Sequence, residues 1–283
     1  MVNTWEFNII LYIIIFIVFT QFYKLAASKG KNDGALTILI QVLSGIFGLI
    51  WIPFFKMQFP SNLATWGLLL ISIVFYAIAD RLNTTARRGL EASEFSILGQ
   101  LVNVFTIIFG ILFFKEQILL KKVIGTILIL MGNVFVLFEK GKFQWNKYTI
   151  FSLLGSLSMS IALIVDVGIS EQFNLAIYAA LTLSMPAIIL LIGERIKIKD
   201  ITNEFKQGDK RSILMVSFTW PLTIITLLRA YNFGTVGTVA PISAAATILN
   251  VFVAYFALKE KNNLLKKVLA AVIVVIGIVL IKI

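Results

Sequence analysis

Charged side chains lie within long apolar blocks of this sequence, and they are the residues best suited to bind a polar solute. Asp80 and Arg81 fall inside one block, Arg229 inside another, and Asp166 near the end of a third. A charge at the centre of a membrane-spanning helix costs about 2.5 to 3.5 kcal/mol on insertion scales. Such residues usually face other protein groups or a water-filled cavity, so these four are the first candidates for function.

The two arginines suit an anionic ligand. Asp80 and Arg81 are adjacent, so they point to different sides of a helix and are poor partners for each other. A guanidinium group binds a carboxylate through two parallel hydrogen bonds. We therefore expect Asp80, Arg81 and Arg229 to recognise a charged or zwitterionic group. The alternative is that both arginines lie near helix ends and extend to lipid headgroups.

Uncharged polar residues follow helical spacing in the same blocks. One stripe contains Ser72, Tyr76, Asp80, Asn83 and Arg87. Serine and threonine in membrane helices often only join neighbouring helices, whereas a buried amide has several donors and acceptors to satisfy. Besides Asp80, Arg81 and Arg229, the predicted substrate-binding residues are Gln41, Trp51, Tyr76, Gln100, Asn103, Thr247 and Asn250.

Two of the aspartates are also candidates for proton coupling. A desolvated Asp80 or Asp166 could carry a proton together with the substrate. For Asp166, near the end of its block, a solvated loop position is the alternative.

The composition is that of a membrane protein. The chain has 283 residues, of which 59% are hydrophobic and 14% charged, and its mean hydropathy is +0.95. A spanning helix needs about 20 mostly apolar residues. These numbers predict an all-α, multi-pass integral membrane protein, which we expect in the plasma membrane of a prokaryote. Ten spans are predicted, at about 7–23, 34–55, 64–85, 92–114, 119–138, 148–168, 173–193, 212–231, 238–258 and 264–282.

Several classes of function are excluded or disfavoured. Cysteine and histidine are both absent, which removes disulfides, Cys/His metal sites and catalysis by imidazole or thiol. No phosphate-binding loop is visible, so we expect that the protein does not use ATP. We also expect no cofactor, no metal and no catalytic residue. The net charge is +11, and the basic residues lie in short stretches between apolar blocks. It therefore favours a bilayer with anionic headgroups over nucleic acid as the partner. Assembly into a homodimer is left open.

The two halves of the sequence repeat each other. Leu119–Val123 recurs as Leu264–Val268 at an offset of 145, and Arg81 matches Arg229 at an offset of 148. Each half contains an odd number of predicted spans, so the second half would enter the membrane in the opposite sense. Inverted repeats are a common plan of secondary transporters, which hold the substrate near the midplane and alternate access. The predicted five-helix repeats are residues 1–140 and 141–283.

The repeated segment also has a family resemblance. Phe113–Glu116, Leu119–Val123, Gly125 and Gly132, with a second copy over Ala257–Gly277, form a pattern. It resembles helix junctions of the drug/metabolite transporter superfamily, in its ten-helix EamA-like branch. The resemblance implies a transporter of small organic solutes, with two five-helix units around a central cavity.

The predicted function is that of a secondary active transporter or exchanger. Its expected substrate is a small polar or zwitterionic metabolite, such as an amino acid. A lipid flippase or a non-transporting membrane scaffold is the alternative. An intramembrane enzyme is disfavoured, because neither Asp80 nor Asp166 lies in a Gly-x-Gly-Asp context.

The orientation in the membrane receives two opposite predictions. The odd-numbered loops carry most of the lysines and arginines, which favours a cytoplasmic position for these loops and an outside position for both termini. The family resemblance implies cytoplasmic termini.

Overall fold

The structure is a computed structural model that describes residues 4–89, 95, 98–99, 101–115, 119–137, 147–257 and 264–282. Of the residues in these ranges, 89% are helical, and no strand occurs among them. The side chains of some helical residues, Thr247 among them, lie outside the described set. The prediction of an all-helical protein is confirmed for the described part.

The described helices follow the apolar blocks of the sequence. Short 3-10 helices form at Ile52–Phe54 and Ser170–Gln172. The α-helices are α1 Trp5–Lys29, α2 Asp33–Leu49, α3 Leu63–Gly89, α4 Leu101–Phe114, α5 Leu120–Leu137, α6 Lys147–Ile169, α7 Leu175–Gly193, α8 Ile198–Gln207, α9 Lys210–Phe233, α10 Val236–Ala257 and α11 Leu264–Lys282.

Five of these helices are long and apolar enough to cross a bilayer by length and composition. They are α1, α3, α6, α7 and α9. Parts of α2, α4, α10 and α11 are apolar but shorter. Most helices lie at the positions of the predicted spans, with differences of up to about six residues at the ends. For the predicted span 92–114, α4 begins at Leu101, and most of the residues before it lie outside the described ranges. The exception is α8, a short polar helix inside a predicted loop.

Side-chain caps fix where several helices begin. The side chain of Asn32 accepts a hydrogen bond from the Ala35 amide at 3.1 Å before α2. Asn174 accepts from the amides of Ala176 and Ile177, both at 3.1 Å, before α7. A cap oxygen of this kind satisfies amides that the first helical turn leaves without partners. The caps therefore fix the residues at which α2 and α7 begin after the preceding connections.

Ion pairs join helix ends on one face of the bundle. Lys29, the last residue of α1, pairs with Asp209 before α9 at 2.9 Å. Arg88 near the end of α3 pairs with Asp33 at the start of α2 at 2.7 Å. These contacts bring the connection between α1 and α2 against the connection that precedes α9. We call this the latch face, and it comprises residues 29–33, 81–89 and 194–211.

The opposite helix ends meet at a second face. The side chain of Asn174 donates to the carbonyl oxygens of Ile52 and Phe55, at 3.3 and 3.1 Å. The Thr65 hydroxyl donates to the Gln172 side chain at 3.0 Å. Since α2 begins at the latch face and ends here, the two faces lie at opposite ends of the bundle. We call this the cleft face, and it comprises residues 50–62, 169–174 and 229–236.

Prolines are distributed unequally along the chain. Pro53 and Pro60 lie in the connection between α2 and α3, whereas Pro186, Pro221 and Pro241 lie inside α7, α9 and α10. A proline inside a helix removes one backbone hydrogen bond and kinks the helix. In membrane helices, neighbouring groups can satisfy the freed carbonyl.

Candidate functional site

The polar face of α3 is the backbone of the candidate site. Ser72, Tyr76, Asp80 and Thr84 repeat every four residues along this helix, and all four side chains are buried. A repeat of four residues places them on one side of an α-helix. The sequence predicts this face, and in the structure α3 packs against α2, α6 and α7.

Asp166 lies at the cleft end of this polar face, inside a cage of hydroxyl groups. The Tyr76 hydroxyl donates to Oδ2 at 2.7 Å, the Tyr178 hydroxyl donates to Oδ1 at 2.6 Å, and the Ser72 hydroxyl also donates to Oδ1. The aspartate is fully buried. Its cage joins α3, α6 and α7, so Asp166 occupies a core position and not the solvated loop that the sequence left open.

Asp80 lies one turn beyond Tyr76, toward the latch face, and its surroundings are different. Its Oδ2 atom accepts one hydrogen bond from the Gln41 amide of α2, at 2.8 Å. Gln41 is fully buried, and its own Oε1 atom has no hydrogen-bond partner in the described part of the chain. Ser44, one turn further along α2, likewise has a buried hydroxyl without a partner there. This region therefore retains polar capacity that the described protein groups do not use.

Hydroxyl groups continue the polar face from Asp80 toward the latch. The Thr84 hydroxyl donates to the Asp80 carbonyl oxygen at 2.8 Å. It also receives a hydrogen bond from Thr37 at 2.9 Å and shares one with the Tyr23 hydroxyl at 3.0 Å. Through these contacts, side chains of α1, α2 and α3 meet around one buried threonine.

Arg81 is separated from Asp80 and belongs to the latch face. Its guanidinium pairs with Glu194 at the end of α7 and also contacts the Thr85 hydroxyl. Both charged side chains of this pair are partly exposed, at 29% and 35%. The contact joins a helix of the first half to the second half of the chain.

Glu204 of α8 strengthens the same face. Its carboxylate is buried and accepts hydrogen bonds from the backbone amides of Lys31 and Asn32, at 2.9 and 2.6 Å. Nearby, the Lys29 ammonium donates to Asp209, and this hydrogen bond lowers the pKa of the partly exposed Asp209 carboxyl below its ordinary value. Both contacts bind the connection between α1 and α2 to the segment around α8.

Arg229, which matches Arg81 in the sequence at an offset of 148, lies in an open cleft at the other face. The cleft has a volume of about 290 Å³, and Lys56, Glu171 and Asn232 also line it. The Nε atom of Arg229 donates to the Asn8 side chain at 3.2 Å. The guanidinium lies 5.5 Å from the ring centre of Phe55 and 5.6 Å from that of Phe233. An open mouth with charges of both signs suits a polar or zwitterionic solute.

The predicted amides lie between helices of the two halves. The side-chain oxygen of Asn250 in α10 accepts from Thr20 at 3.0 Å and from Gln21 at 2.8 Å, both in α1. Asn103 in α4 accepts from the Ser243 hydroxyl of α10 at 3.1 Å. These contacts connect α1 and α4 with α10.

Three other predicted residues lie apart from this polar face or outside the description. Trp51 lies at the end of α2, packed against Phe54 and Phe218, and its buried indole nitrogen has no described partner. Gln100 and the side chain of Thr247 are outside the described residues.

Sequence reasoning missed Tyr178 and Glu194. Tyr178 gave no periodic signal, because the apolar block that contains it is apolar on every side. Glu194 lies just beyond the end of α7, where a solvated acid is the ordinary expectation. The described residues contain no group of three or more Asp and Glu side chains that could hold a metal ion.

The fold and the buried polar face define the class of protein. Five helices able to cross a bilayer, with buried aspartates between them, describe a multi-pass integral membrane protein. The model of the EamA-like transporter family matches residues 3–138, and this match confirms the resemblance to the drug/metabolite transporter superfamily. The match indicates a membrane transporter of small molecules.

The fold is also that of solved structures. A crystal structure, described only as that of a protein, matches with a TM-score of 0.75. The match covers 97% of this chain and 96% of that chain, at 13% sequence identity. At this identity the likeness concerns the fold alone. A search of curated proteins gives no significant match.

Proposed function

We propose that this protein is a secondary active transporter or exchanger of a small polar or zwitterionic metabolite, such as an amino acid. The observation that carries the proposal is the buried polar face of α3. It places Asp80 among apolar helices, with acceptor capacity that the described protein groups leave unused, where groups that only join helices are normally uncharged. Transport by alternating access, and not catalysis, accounts for this arrangement.

Two inverted five-helix repeats, residues 1–140 and 141–283, form the architecture in this proposal. Exchanging the halves pairs α1 with α6, α2 with α7, α3 with α9, α4 with α10 and α5 with α11. The observed helix contacts support that exchange. The contact of α3 with α6 has its counterpart in α1 with α9, and the contact of α4 with α6 has its counterpart in α1 with α10. The contacts of α2 with α7 and of α5 with α11 are each their own counterparts.

The two faces support alternating access. At the latch face, Arg81–Glu194, Lys29–Asp209 and the Glu204 carboxylate join the two halves. At the cleft face, Arg229, the counterpart of Arg81, lines an open cavity. We infer that this conformation is closed at the latch face and open toward the cleft face. In the opposite state the latch contacts would separate.

Counterflow in proteoliposomes tests the proposal. Vesicles that contain the purified protein and are loaded with unlabelled amino acids should accumulate radiolabelled amino acids, and the uptake should saturate. Vesicles made without protein are the control. Absence of saturable counterflow across the amino-acid panel would overturn the proposed substrate class. Scrambling of fluorescent lipid in the same vesicles would favour a flippase instead.

The coupling ion is proposed to be a proton carried by Asp80 or Asp166. Substrate-driven acidification or alkalinisation of the vesicle lumen should be absent in Asp80→Asn or in Asp166→Asn. Intact proton movement in both variants would reject the proposal.

Single cysteines can determine the orientation. The chain contains no cysteine, so the introduced cysteine is the only thiol in each single-cysteine variant. We propose the latch face as the cytoplasmic face, because it holds predicted loops one, three and seven, which carry many of the lysines and arginines of the chain. A cysteine at Lys206 should then react with an impermeant thiol reagent only after cells are opened. Reaction in intact cells would reverse the assignment.

A further inference from the structure

Three arginines lie in the last third of α3, and two of them have an acidic partner. Arg81 pairs with Glu194, and Arg88 pairs with Asp33. Arg87 forms no ion pair with any residue in the described ranges, and its Nε atom is buried without a hydrogen-bond partner among them. A buried donor without an acceptor is costly, so the Arg87 guanidinium has binding capacity that the described protein leaves unused.

Two aromatic rings hold this guanidinium in position. Its central carbon lies 4.2 Å from the ring centre of Phe95 and 5.0 Å from that of Tyr23. A guanidinium stacked on aromatic faces keeps the N–H groups along its edge available for bidentate binding of a carboxylate. Arg87 is therefore held in place by contacts that leave its hydrogen-bonding edge for another group.

Arg87 shares the polar face of α3 with Asp80. Seven residues separate them, which is about two turns, or about 10 Å along the helix axis. Side chains in a helix lean toward its N-terminus, so the long Arg87 side chain leans toward Asp80. The buried Thr84 hydroxyl, with its contacts to Thr37 and Tyr23, lies between the two charges.

We propose that Arg87 binds the carboxylate of a zwitterionic substrate whose ammonium group is held by Asp80. This inference rests on the proposed function and deepens it, because it names the two groups that the substrate must carry. It also changes the expected assignment of roles. Arg81 pairs with an acid of the protein, so Arg87 takes the carboxylate-binding role that the sequence gave to Arg81.

The arrangement selects for a solute with both charges. A carboxylate alone would leave Asp80 without a cation, and an amine alone would leave Arg87 without an anion. Leaving either charge buried and unmatched opposes binding. The proposed site therefore distinguishes an amino acid from its amide and from its deaminated acid.

Competition against counterflow tests these roles. The labelled probe is the amino acid that gives the largest saturable counterflow with the wild-type protein, and the competitors are its C-terminal amide and its deaminated analogue. Both should compete at least about tenfold more weakly than the amino acid, because each lacks one charged hydrogen-bonding group. Equal competition by the amide would overturn the role of Arg87.

Substitutions then assign the discrimination to individual residues. Arg87→Gln should raise the KM for the amino acid about tenfold to hundredfold and remove the preference over the amide. Asp80→Asn should remove the preference over the deaminated analogue. Arg88→Gln is the matched control, since it changes the neighbouring arginine at the latch face and should retain both preferences.

A purely structural role of Arg87 predicts a different result. It would reduce the amount of folded protein without changing the preference for a carboxylate. Arg87→Lys retains the charge but not the fork-shaped donor edge, so it should give a KM between those of the wild type and Arg87→Gln. It is the test variant if Arg87→Gln does not fold. If the wild-type protein shows counterflow but Arg87→Lys or Arg87→Gln keeps the preference for the amino acid over its amide, this inference alone is overturned. Absence of wild-type amino-acid counterflow would overturn the proposed function, and this inference with it.

Discussion

Asp80 and Asp166 are both buried carboxylates between apolar helices, yet the protein surrounds them differently. Asp166 accepts hydrogen bonds from three hydroxyl groups on two neighbouring helices, α3 and α7. Asp80 accepts one side-chain hydrogen bond, from Gln41, within the described structure. An ionised carboxylate has about four acceptor positions, so Asp166 is largely satisfied by protein while Asp80 retains capacity for a ligand.

This difference separates two roles that look alike in the sequence. A carboxylate enclosed by fixed donors holds helices together, because each donor would lose its acceptor if the helices moved apart. A carboxylate with few donors has unfilled acceptor positions until another group approaches it. We therefore regard Asp166 as the joint between α3, α6 and α7, and Asp80 as the residue that meets the substrate.

The largest expected effect is on stability. Asp166→Ala leaves the hydroxyls of Ser72, Tyr76 and Tyr178 without their shared acceptor. At about 1 to 3 kcal/mol for each unsatisfied buried group, the free energy of unfolding should fall by several kcal/mol. Denaturation of the purified protein in detergent measures this loss. Asp80→Ala is the matched control and should lose clearly less, and an equal loss in both variants would contradict the comparison.

The second effect is on transport. Asp80→Asn can still accept the hydrogen bond from Gln41 but cannot hold a cation. We expect kcat/KM in counterflow to fall at least about tenfold, with an unfolding midpoint close to that of the wild type. Wild-type transport by Asp80→Asn would remove the substrate role of this residue and leave the two aspartates alike.

A single donor of the cage should have a smaller effect. Tyr178→Phe removes one hydrogen bond to Asp166 and retains the ring, so we expect a loss of about 1 to 3 kcal/mol in the free energy of unfolding. In an Asp166→Asn background the same substitution should have less effect, and a double-mutant cycle measures the coupling. Strict additivity of the two substitutions would show that this hydroxyl does not support the cage.

The smallest effect is expected for a carboxylate at the protein surface. Asp209 pairs with the exposed Lys29, and such pairs contribute little to stability. Because its pKa is lowered in the folded protein, the stabilisation is present above the unfolded pKa and is lost as the pH falls through the folded pKa. Asp209→Asn should therefore change the unfolding midpoint slightly at neutral pH, and the difference should vanish only in strong acid. A large change at neutral pH would show that the latch depends on this pair.

The sequence predicts the helices and the polar face of α3 well, because both follow from local spacing. Apolar blocks of about 20 residues predict spans, and residues four apart share a helical face, as Tyr76 and Asp80 do. Neither signal identifies the neighbouring helix. The cage around Asp166 depends on Tyr178, which lies in a different helix after a reversal of chain direction.

The roles of the arginines were harder to predict for the same reason. Repeat symmetry matches Arg81 with Arg229, but it does not show that Glu194 pairs with one of them. Arg87 was visible in the stripe, yet nothing local indicates that Tyr23 and Phe95 enclose it. These contacts depend on tertiary packing between distant segments, which helical periodicity does not encode.

The unequal placement of prolines gives the two halves different mechanical properties. The described α-helices of the first half contain no proline, whereas Pro186, Pro221 and Pro241 each interrupt one helix of the second half. The first half can therefore serve as a stiff frame while the second half bends against it. The two halves would then move unequally even though their sequences repeat each other.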